Sequence, residues 1–201
     1  MGVNMYLIDL TKPIFNNMEV YPGDPHVIFE KWCDIDDVGY RVTKICFGTH
    51  TGTHIDAPSH MIRDGPSIDS LEINRFIGRA LLINIDKKVV DIGDIKAFDE
   101  LFQNDTILLI KTKKNGFLTI DAANYIVSKR VKLVIFHENC IIDSEGEEDY
   151  PVHKTFLSND IPIVSNAINL ERVENGDLVI VAPLKLIGVD GAACRVFVLK
   201  K

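Results

Sequence analysis

The amino-acid sequence predicts an α/β fold in which helices pack on a partly parallel sheet, as one domain spanning residues 1–201. Apolar, β-rich runs at 105–111 and 131–136 are typical of strands buried on both faces. Segments with helical spacing at 91–102 and 119–129 alternate with these strands, which favours helices packed on a sheet. The length suits one well-buried domain and is short for two, and the chain contains no linker or repeat.

The other elements follow from local patterns along the chain. Further strands are predicted at 6–10, 26–33, 40–48, 79–85, 161–164, 178–182 and 195–199. Turn signals separate the early strands, including Tyr-Pro-Gly-Asp-Pro at 21–25 and an acidic turn at 34–37. Short helices are expected at 152–157 and 168–173, and Asp91 and Thr119 are expected to cap the two longer helices.

The composition limits the partners and the compartment. A net charge of -7 argues against nonspecific binding to nucleic acid or to an anionic membrane. The four cysteines (Cys33, Cys46, Cys140 and Cys194) lie far apart without a CxxC pair, as expected for reduced thiols. The N-terminal residues lack the pattern of a signal peptide, and no apolar stretch reaches transmembrane length. We therefore expect a soluble cytoplasmic protein without a nucleic-acid or membrane partner.

Three histidines and an aspartate cluster in the segment His50-Thr51-Gly52-Thr53-His54-Ile55-Asp56-Ala57-Pro58-Ser59-His60. A straight strand would separate its two ends by roughly 33 Å, which is too far for one metal site. Gly52 and Pro58 allow the chain to bend, so we expect a curled strand-to-loop segment that gathers the side chains. A structural cluster of polar side chains is the alternative, but a divalent-metal site explains four such groups better. Imidazole and carboxylate ligands suit zinc, manganese, iron or cobalt, and the ligand types alone do not choose among them.

This segment resembles the H-x-G-T-H-x-D-A-P-x-H signature of the cyclase family of metal-dependent hydrolases, which includes bacterial kynurenine formamidase and isatin hydrolase. The resemblance continues in DLTKPI at 9–14, VYPGDP at 20–25, DGPSID at 64–69, FIG at 76–78 and PLKLIG at 183–188. It implies a swivelling β/β/α-type single domain with a central mixed sheet and flanking helices. It also implies a homodimer or a larger homo-oligomer.

The resemblance further implies roles for individual residues. His50, His54 and Asp56 would hold a first divalent metal, zinc first and manganese second in our expectation. His60 would be the general acid/base. His153 would bind a second metal, and Tyr21 stands where the family places an aromatic residue of the substrate pocket, although it is equally well explained as a packed turn residue.

The sequence departs from the family where a glutamate ligand of the second metal is expected. Ser165 stands there, within IVSNAINL at 163–170. A neutral hydroxyl binds a hard cation less well than a carboxylate does, so we expect about one tightly bound ion per chain. His137, Glu138 and Cys140 are alternative ligands, but their interpretation as ordinary loop residues is preferred.

We therefore expect a hydrolase of a small amide, cyclic amide or lactone. Water activated by the metal would attack the carbonyl, and His60 would transfer protons, because an ordinary imidazole pKa near 6.5 suits both directions of transfer. The alternative is a metal-binding member of the family that has lost hydrolysis and binds a ligand, which Ser165 motivates.

Overall fold

The structure is a computed structural model and describes residues 5–146 and 149–200. Its strands are β1 (Tyr6–Asp9), β2 (Ile28–Cys33), β3 (Val42–Cys46), β4 (His54–Asp56), β5 (Ile77–Asn84), β6 (Val89–Val90), β7 (Thr106–Lys111), β8 (Gly116–Leu118), β9 (Leu133–His137), β10 (Cys140–Ile142), β11 (Ile163–Ala167), β12 (Leu178–Pro183) and β13 (Gly191–Lys200). Its α-helices are α1 (Ile35–Val38), α2 (Ile92–Lys96), α3 (Ile120–Ser128) and α4 (Pro151–Leu157). Short 3-10 turns occur at Pro58–His60, Ile68–Ser70, Ile73–Phe76, Asp99–Leu101 and Leu170–Arg172.

The main sheet is mixed and closes on itself. Its strand order is β1-β13-β12-β5-β7-β9-β11-β4, and β4 also pairs with β13. The four neighbours β5, β7, β9 and β11 are parallel, whereas β12, β13, β1 and β4 pair antiparallel with their neighbours. The predicted α/β fold with a central mixed sheet is confirmed.

The closed sheet divides the hydrophobic core into two clusters, because successive strand residues point to opposite faces. On β7, Ile107 and Leu109 join the cluster that the sheet encloses. Leu108 and Ile110 join a second cluster, in which the sheet packs against α3 and α4. Each such fully buried side chain contributes about 1.5–3 kcal/mol relative to an exposed one. Burial on both faces explains why these strands read as continuous apolar runs.

Two smaller sheets extend from this body. Strands β2 and β3 form an antiparallel hairpin that is largely exposed. Its tip is the predicted acidic turn, which folds as the short helix α1 with Asp34 Oδ1 accepting a hydrogen bond from the backbone N–H of Ile35. Strands β10, β8 and β6 form a second, parallel sheet that the sequence pattern does not reveal.

The predicted helix at 91–102 is shorter than expected. Asp91 caps it as predicted, in a reciprocal capping box with Asp94. The α-helix ends at Lys96, and a separate 3-10 turn follows at Asp99–Leu101. Two acidic residues in that turn would lie at the negative end of a longer helix dipole, which disfavours continuation. The second predicted cap is confirmed, since Thr119 accepts from the N–H of Ala122.

Within the described part of the chain, no helix has the length and apolar character needed to cross a membrane.

Candidate active site

Strand β4 places His54 and Asp56 on one face of the closed sheet. The intervening Ile55 points the opposite way and is fully buried in the core. Pairing with β11 sets Ser165 opposite His54, and pairing with β13 sets Gly191 opposite Asp56. The two polar side chains are nearly as buried as the core, with exposures of 7% for His54 and 2% for Asp56. A central strand therefore holds both groups on a rigid support.

The loop before β4 folds back so that His50 reaches the same site. Gly52 adopts a left-handed φ of +64°, and a Cβ there would lie 2.7 Å from Cγ1 of Ile14, so glycine is required at this bend. The ring centroid of His50 consequently lies 5.1 Å from that of His54 and 4.0 Å from that of His60. The predicted curl of the segment is confirmed.

His50 lies between two carboxylates. Its Nδ1 is 2.7 Å from Oδ1 of Asp56, and its Nε2 is 2.8 Å from Oδ2 of Asp190. Burial lowers the pKa of His50, but the hydrogen bonds and charges of Asp56 and Asp190 outweigh burial and raise this pKa to about 9. The His50 ring is therefore a positively charged imidazolium at neutral pH, and it donates one hydrogen bond to each carboxylate.

Asp56 stays ionised despite its burial. Desolvation raises its pKa, but the charge of His54 and the hydrogen bonds from His50 and His54 hold that pKa well below its usual range. A buried carboxylate surrounded by imidazoles is a favourable position for a cation, because the negative charge has little access to solvent.

His54 is oriented by backbone contacts. Its Nδ1 donates to the carbonyl oxygen of Gly52 at 3.0 Å, and the side-chain amide of Asn166 donates to the same oxygen at 3.1 Å. Because a carbonyl can only accept, the hydrogen of this bond is on Nδ1 of His54. The same bond orients the ring so that its other nitrogen, Nε2, lies 3.3 Å from Asp56 Oδ1. Backbone carbonyls commonly fix metal-binding histidines in this way.

His60 lies on the 3-10 turn that Pro58 begins, and its Nδ1 is 3.4 Å from Oδ2 of Asp190. Burial lowers the pKa of His60, and the positive charge of His50 adds to this effect, against the raising influence of Asp56 and Asp190. Among the described residues, one group of three has ligand atoms that all lie within 4.8 Å of one another, namely His50, Asp56 and His60. His60, which was predicted to be a general acid/base and not a ligand, is therefore close enough to His50 and Asp56 to contact the same ion.

Asp190 is a site residue that sequence reasoning missed. Besides its two histidine contacts, its Oδ1 accepts from the hydroxyl of Thr49 at 3.1 Å. Burial raises the pKa of Asp190, but the hydrogen bond and charge of His50 outweigh burial and lower it. The available signal was the Asp-Gly dipeptide that opens β13, which lies far from the histidine segment in sequence.

His50, His54, Asp56 and His60 form one wall of a cavity of about 550 Å³. Three further predicted residues also line this cavity: Tyr21, His153 and Ser165. Tyr21 is 65% exposed, and its hydroxyl lies 3.3 Å from that of Tyr150. The other lining residues are Lys12, Met18, Glu19, Val20, Asp24, Thr51, Gly52, Met61, Tyr150 and Asn166.

The three alternative metal ligands lie outside the set of described residues that line the cavity. Glu138 pairs with the ammonium group of Lys12 at 3.2 Å. Cys140 packs against the Thr112 hydroxyl, and burial raises its pKa, which disfavours a nucleophilic thiolate. Burial likewise lowers the pKa of His137. These contacts agree with ordinary residues and not ligands, but the expected loop is shorter, because His137 ends β9 and Cys140 begins β10.

Comparison with known proteins places this geometry in a family. The profile of the family described as "Putative cyclase" matches residues 8–144, which include the whole histidine segment. The chain belongs to the cyclase family. A kynurenine formamidase from Bacillus cytotoxicus is 27% identical over 204 residues, covering 95% of this chain and 96% of the relative. One from Bacillus anthracis is also 27% identical, over 200 residues and 94% of each chain.

Solved structures show the same fold. A potential metal-dependent hydrolase with cyclase activity superposes with a TM-score of 0.82 at 28% identity, covering 98% of this chain and 99% of the other. Isatin hydrolase A from Ralstonia solanacearum superposes with a TM-score of 0.85 at 19% identity, over 98% and 92% of the chains. The resemblance noted in the sequence and the prediction of a hydrolase are confirmed.

Proposed function

We propose that this protein is a metal-dependent hydrolase of a small amide, a cyclic amide or a lactone, with aryl formamides as the first substrates to test. The relatives named kynurenine formamidase support amide hydrolysis, and the fold shared with isatin hydrolase extends the range to cyclic amides. The observation that carries the proposal is the convergence of His50, Asp56 and His60 on one wall of a cavity large enough for a small aromatic molecule.

His50, His54 and Asp56 would hold a divalent ion, and the donor set fits one. Two ligands at about 2.0–2.1 Å from a tetrahedral zinc ion lie about 3.3 Å apart. His54 Nε2 and Asp56 Oδ1 are separated by 3.3 Å, whereas His50 Nδ1 lies 2.7 Å from Asp56 Oδ1 in a hydrogen bond that a bound ion would replace. Two imidazoles and a carboxylate are the usual ligands of a catalytic site with an open position. The donor types do not choose the ion, and we place zinc first and manganese second on the basis of the family resemblance.

When bound, such an ion supplies Lewis-acid chemistry, since it polarises a carbonyl and makes a water molecule more acidic. His60 then transfers the protons. Its lowered pKa keeps its ring neutral at neutral pH, so it accepts a proton from the attacking water. The neighbouring Asp190 stabilises the resulting imidazolium, and His60 returns the proton to the leaving nitrogen or oxygen.

The test is turnover by metal-loaded protein on a panel of N-formylkynurenine, isatin and lactones. Replacement of the proton-transfer group by His60→Ala should lower kcat by about 10²- to 10⁴-fold. Asp56→Ala should lower both activity and metal content. His26→Ala is the matched control, because His26 is exposed and lies outside the residues that line the cavity, and it should retain activity. Wild-type turnover by the His60 and Asp56 variants would show that the mechanism is wrong.

We further propose that one ion binds tightly per chain. Ser165 lines the cavity directly opposite His54 and carries no charge, so it supplies no carboxylate to a second ion. His153 is then the remaining predicted ligand of that second site. Elemental analysis of purified protein should find about one ion per chain, and two firmly held ions would contradict this stoichiometry.

Loss of hydrolysis is the second candidate function, and Ser165 is the observation that favours it. A protein of this kind would keep the cavity and bind a metal and a small ligand without turning it over. The substrate panel separates the two candidates, because robust turnover of any member excludes the binding-only function. Binding of panel members by calorimetry without product formation would support it.

We also propose a homodimer that works in the cytoplasm. The β2–β3 hairpin supports self-association, because it exposes large apolar side chains that include Trp32 at 71% and Tyr40 at 61%. The unpaired cysteines agree with a reducing compartment. Light scattering should give twice the chain mass, and Trp32→Asp should reduce it. A monomeric wild-type protein at micromolar concentration would refute the dimer.

A further inference from the structure

Asp143 is a buried carboxylate beside the cavity that the proposed mechanism does not use. It is 5% exposed and follows β10 directly. Its Oδ1 accepts a hydrogen bond from the backbone N–H of Val152 at 2.6 Å, and its Oδ2 accepts one from the backbone N–H of His153 at 3.4 Å. Its Oδ2 also contacts Nδ1 of the His153 ring. One acid thus ties the first turn of α4 and the His153 side chain together.

The backbone at this point is held in an unusual conformation. The N–H of Asp143 bonds to the carbonyl oxygen of Ile141 at 2.9 Å, closing a γ-turn around Ile142. Ile142 has a φ of +68°, which β-branched residues rarely adopt. The same Ile142 side chain is 4% exposed and belongs to the apolar cluster that includes Val152 of α4. Core packing therefore fixes where the carboxylate lies relative to His153.

The contact with Asp143 determines the tautomer of the His153 ring, and therefore which ring nitrogen has a lone pair. An ionised carboxylate only accepts hydrogen bonds, so Nδ1 of His153 is the donor. In a neutral ring with hydrogen on Nδ1, the other nitrogen Nε2 is an acceptor. His153 lines the cavity together with Ser165 and His60. The cavity therefore presents an acceptor nitrogen on the side that lacks the expected carboxylate.

We propose that Asp143 is a positioning residue that fixes the Nδ1–H form of His153, so that Nε2 accepts a hydrogen bond from an N–H group of the substrate. The ligand class is an amide or aryl amine with an N–H donor, and this part rests on the proposed hydrolase function. Binding of a second cation at His153 is the competing role. Ser165, which lies at the position where a carboxylate ligand is expected, gives such a cation no charge, so the hydrogen-bonding role is favoured.

Asp143→Asn tests this role with little change in shape. The asparagine oxygen can still accept from the N–H of Val152, while its NH₂ group donates to Nδ1 of His153 and forces the hydrogen onto Nε2. The long bond of 3.4 Å from the backbone N–H of His153 is lost in this variant. A comparable exchange in a serine protease triad leaves the geometry intact and gives the wrong tautomer. Asp91→Asn is the matched control, since Asp91 also caps a helix with its side chain but does so at the start of α2 and is not one of the residues that line the cavity.

Two readouts are needed, and the first does not depend on turnover. Nitrogen-15 NMR of the imidazole rings should show Nδ1–H in wild type, Nε2–H in Asp143→Asn and no change in Asp91→Asn. Steady-state kinetics on a formamide that carries an N–H should show kcat/KM lowered by about 10- to 100-fold in Asp143→Asn, chiefly through KM. His153→Ala should raise KM similarly, and His153→Gln, which keeps an acceptor oxygen, should recover part of the loss.

The outcomes separate this inference from the proposed function. Absence of turnover by wild type contradicts the hydrolase, whereas an Nε2–H tautomer of His153 in wild type overturns the role of Asp143. An unchanged KM in both Asp143→Asn and His153→Ala overturns the substrate contact. Should Asp143→Asn fail to fold, the wild-type tautomer and the two His153 variants decide. A change in the nitrogen-15 signal of His153 Nε2 on addition of the second equivalent of zinc would show that His153 binds a metal instead, and would overturn the substrate contact.

Discussion

Gly191 lies opposite Asp56 across the β4–β13 pair and leaves the space that His50 occupies. A Cβ at this position would lie 2.6 Å from the carbonyl oxygen of Ile55 and 2.9 Å from Cε1 of His50. Carbon atoms in favourable contact are about 3.5–4.0 Å apart. In a Gly191→Ala variant the backbone of β4 and β13 has to shift locally to relieve the contact with the Ile55 oxygen, and the His50 ring has to move away by a further distance of about 0.5–1 Å.

The expected loss of metal affinity follows from that displacement. Ligand distances in metal sites tolerate only about 0.2 Å. A shift of the His50 ring by several times that amount should weaken the first ion by about 10- to 100-fold, which corresponds to about 1.4–2.7 kcal/mol. Overpacking should also destabilise the fold by about 1–3 kcal/mol.

Competition with a chelator measures the affinity, and thermal unfolding in EDTA measures the stability separately. Gly39→Ala is the matched control. Gly39 has a φ of +83° but no atom within 4 Å of the added Cβ, so its replacement strains the hairpin without touching the site. It should lower stability and leave metal affinity unchanged. A folded Gly191→Ala protein that binds its first ion as tightly as wild type would refute the steric reasoning.

Two other predictions concern metal binding. His50 has a pKa of about 9, so a cation that binds it displaces a proton. The affinity of the protein for the first ion should therefore rise about tenfold per pH unit between pH 7 and 9. A pH-independent affinity in chelator competition would exclude this displacement. In metal-stripped protein the same raised pKa stabilises the fold fully below about pH 6.5, and thermal unfolding should show this contribution decreasing as pH rises through 9. Ser165→Glu should increase second-ion affinity at least tenfold in a zinc titration, with Ser165→Gln as the uncharged control, and no increase would show that position 165 does not face a second ion.

The fold was predictable where single elements carry a strong local signal. The parallel strands β7 and β9 are buried on both faces and therefore appear as uninterrupted apolar runs. Strands β6, β8 and β10 have two or three residues each, which is too short for any periodicity to develop. The closure of the sheet is likewise invisible in the sequence, because it depends on pairing of β4 with both β11 and β13.

The site divides in the same way. His50, His54, Asp56 and His60 were found because they lie within one short segment that also carries its own bend at Gly52. Asp190 escaped detection because its contacts with His50 and His60 exist only once β13 pairs with β4.

The two parts of the cavity lining therefore differ in what they determine. The wall built by the segment from His50 to His60 holds the groups that perform chemistry, and a local motif specifies it. The second part of the lining combines Tyr21, His153 and Ser165, which come from separate parts of the chain and meet only after folding. Since the first wall would treat any small carbonyl compound alike, the choice among amides, cyclic amides and lactones has to depend on the second. Substitutions there should change which substrate is turned over, whereas substitutions in the motif should lower turnover of every substrate together.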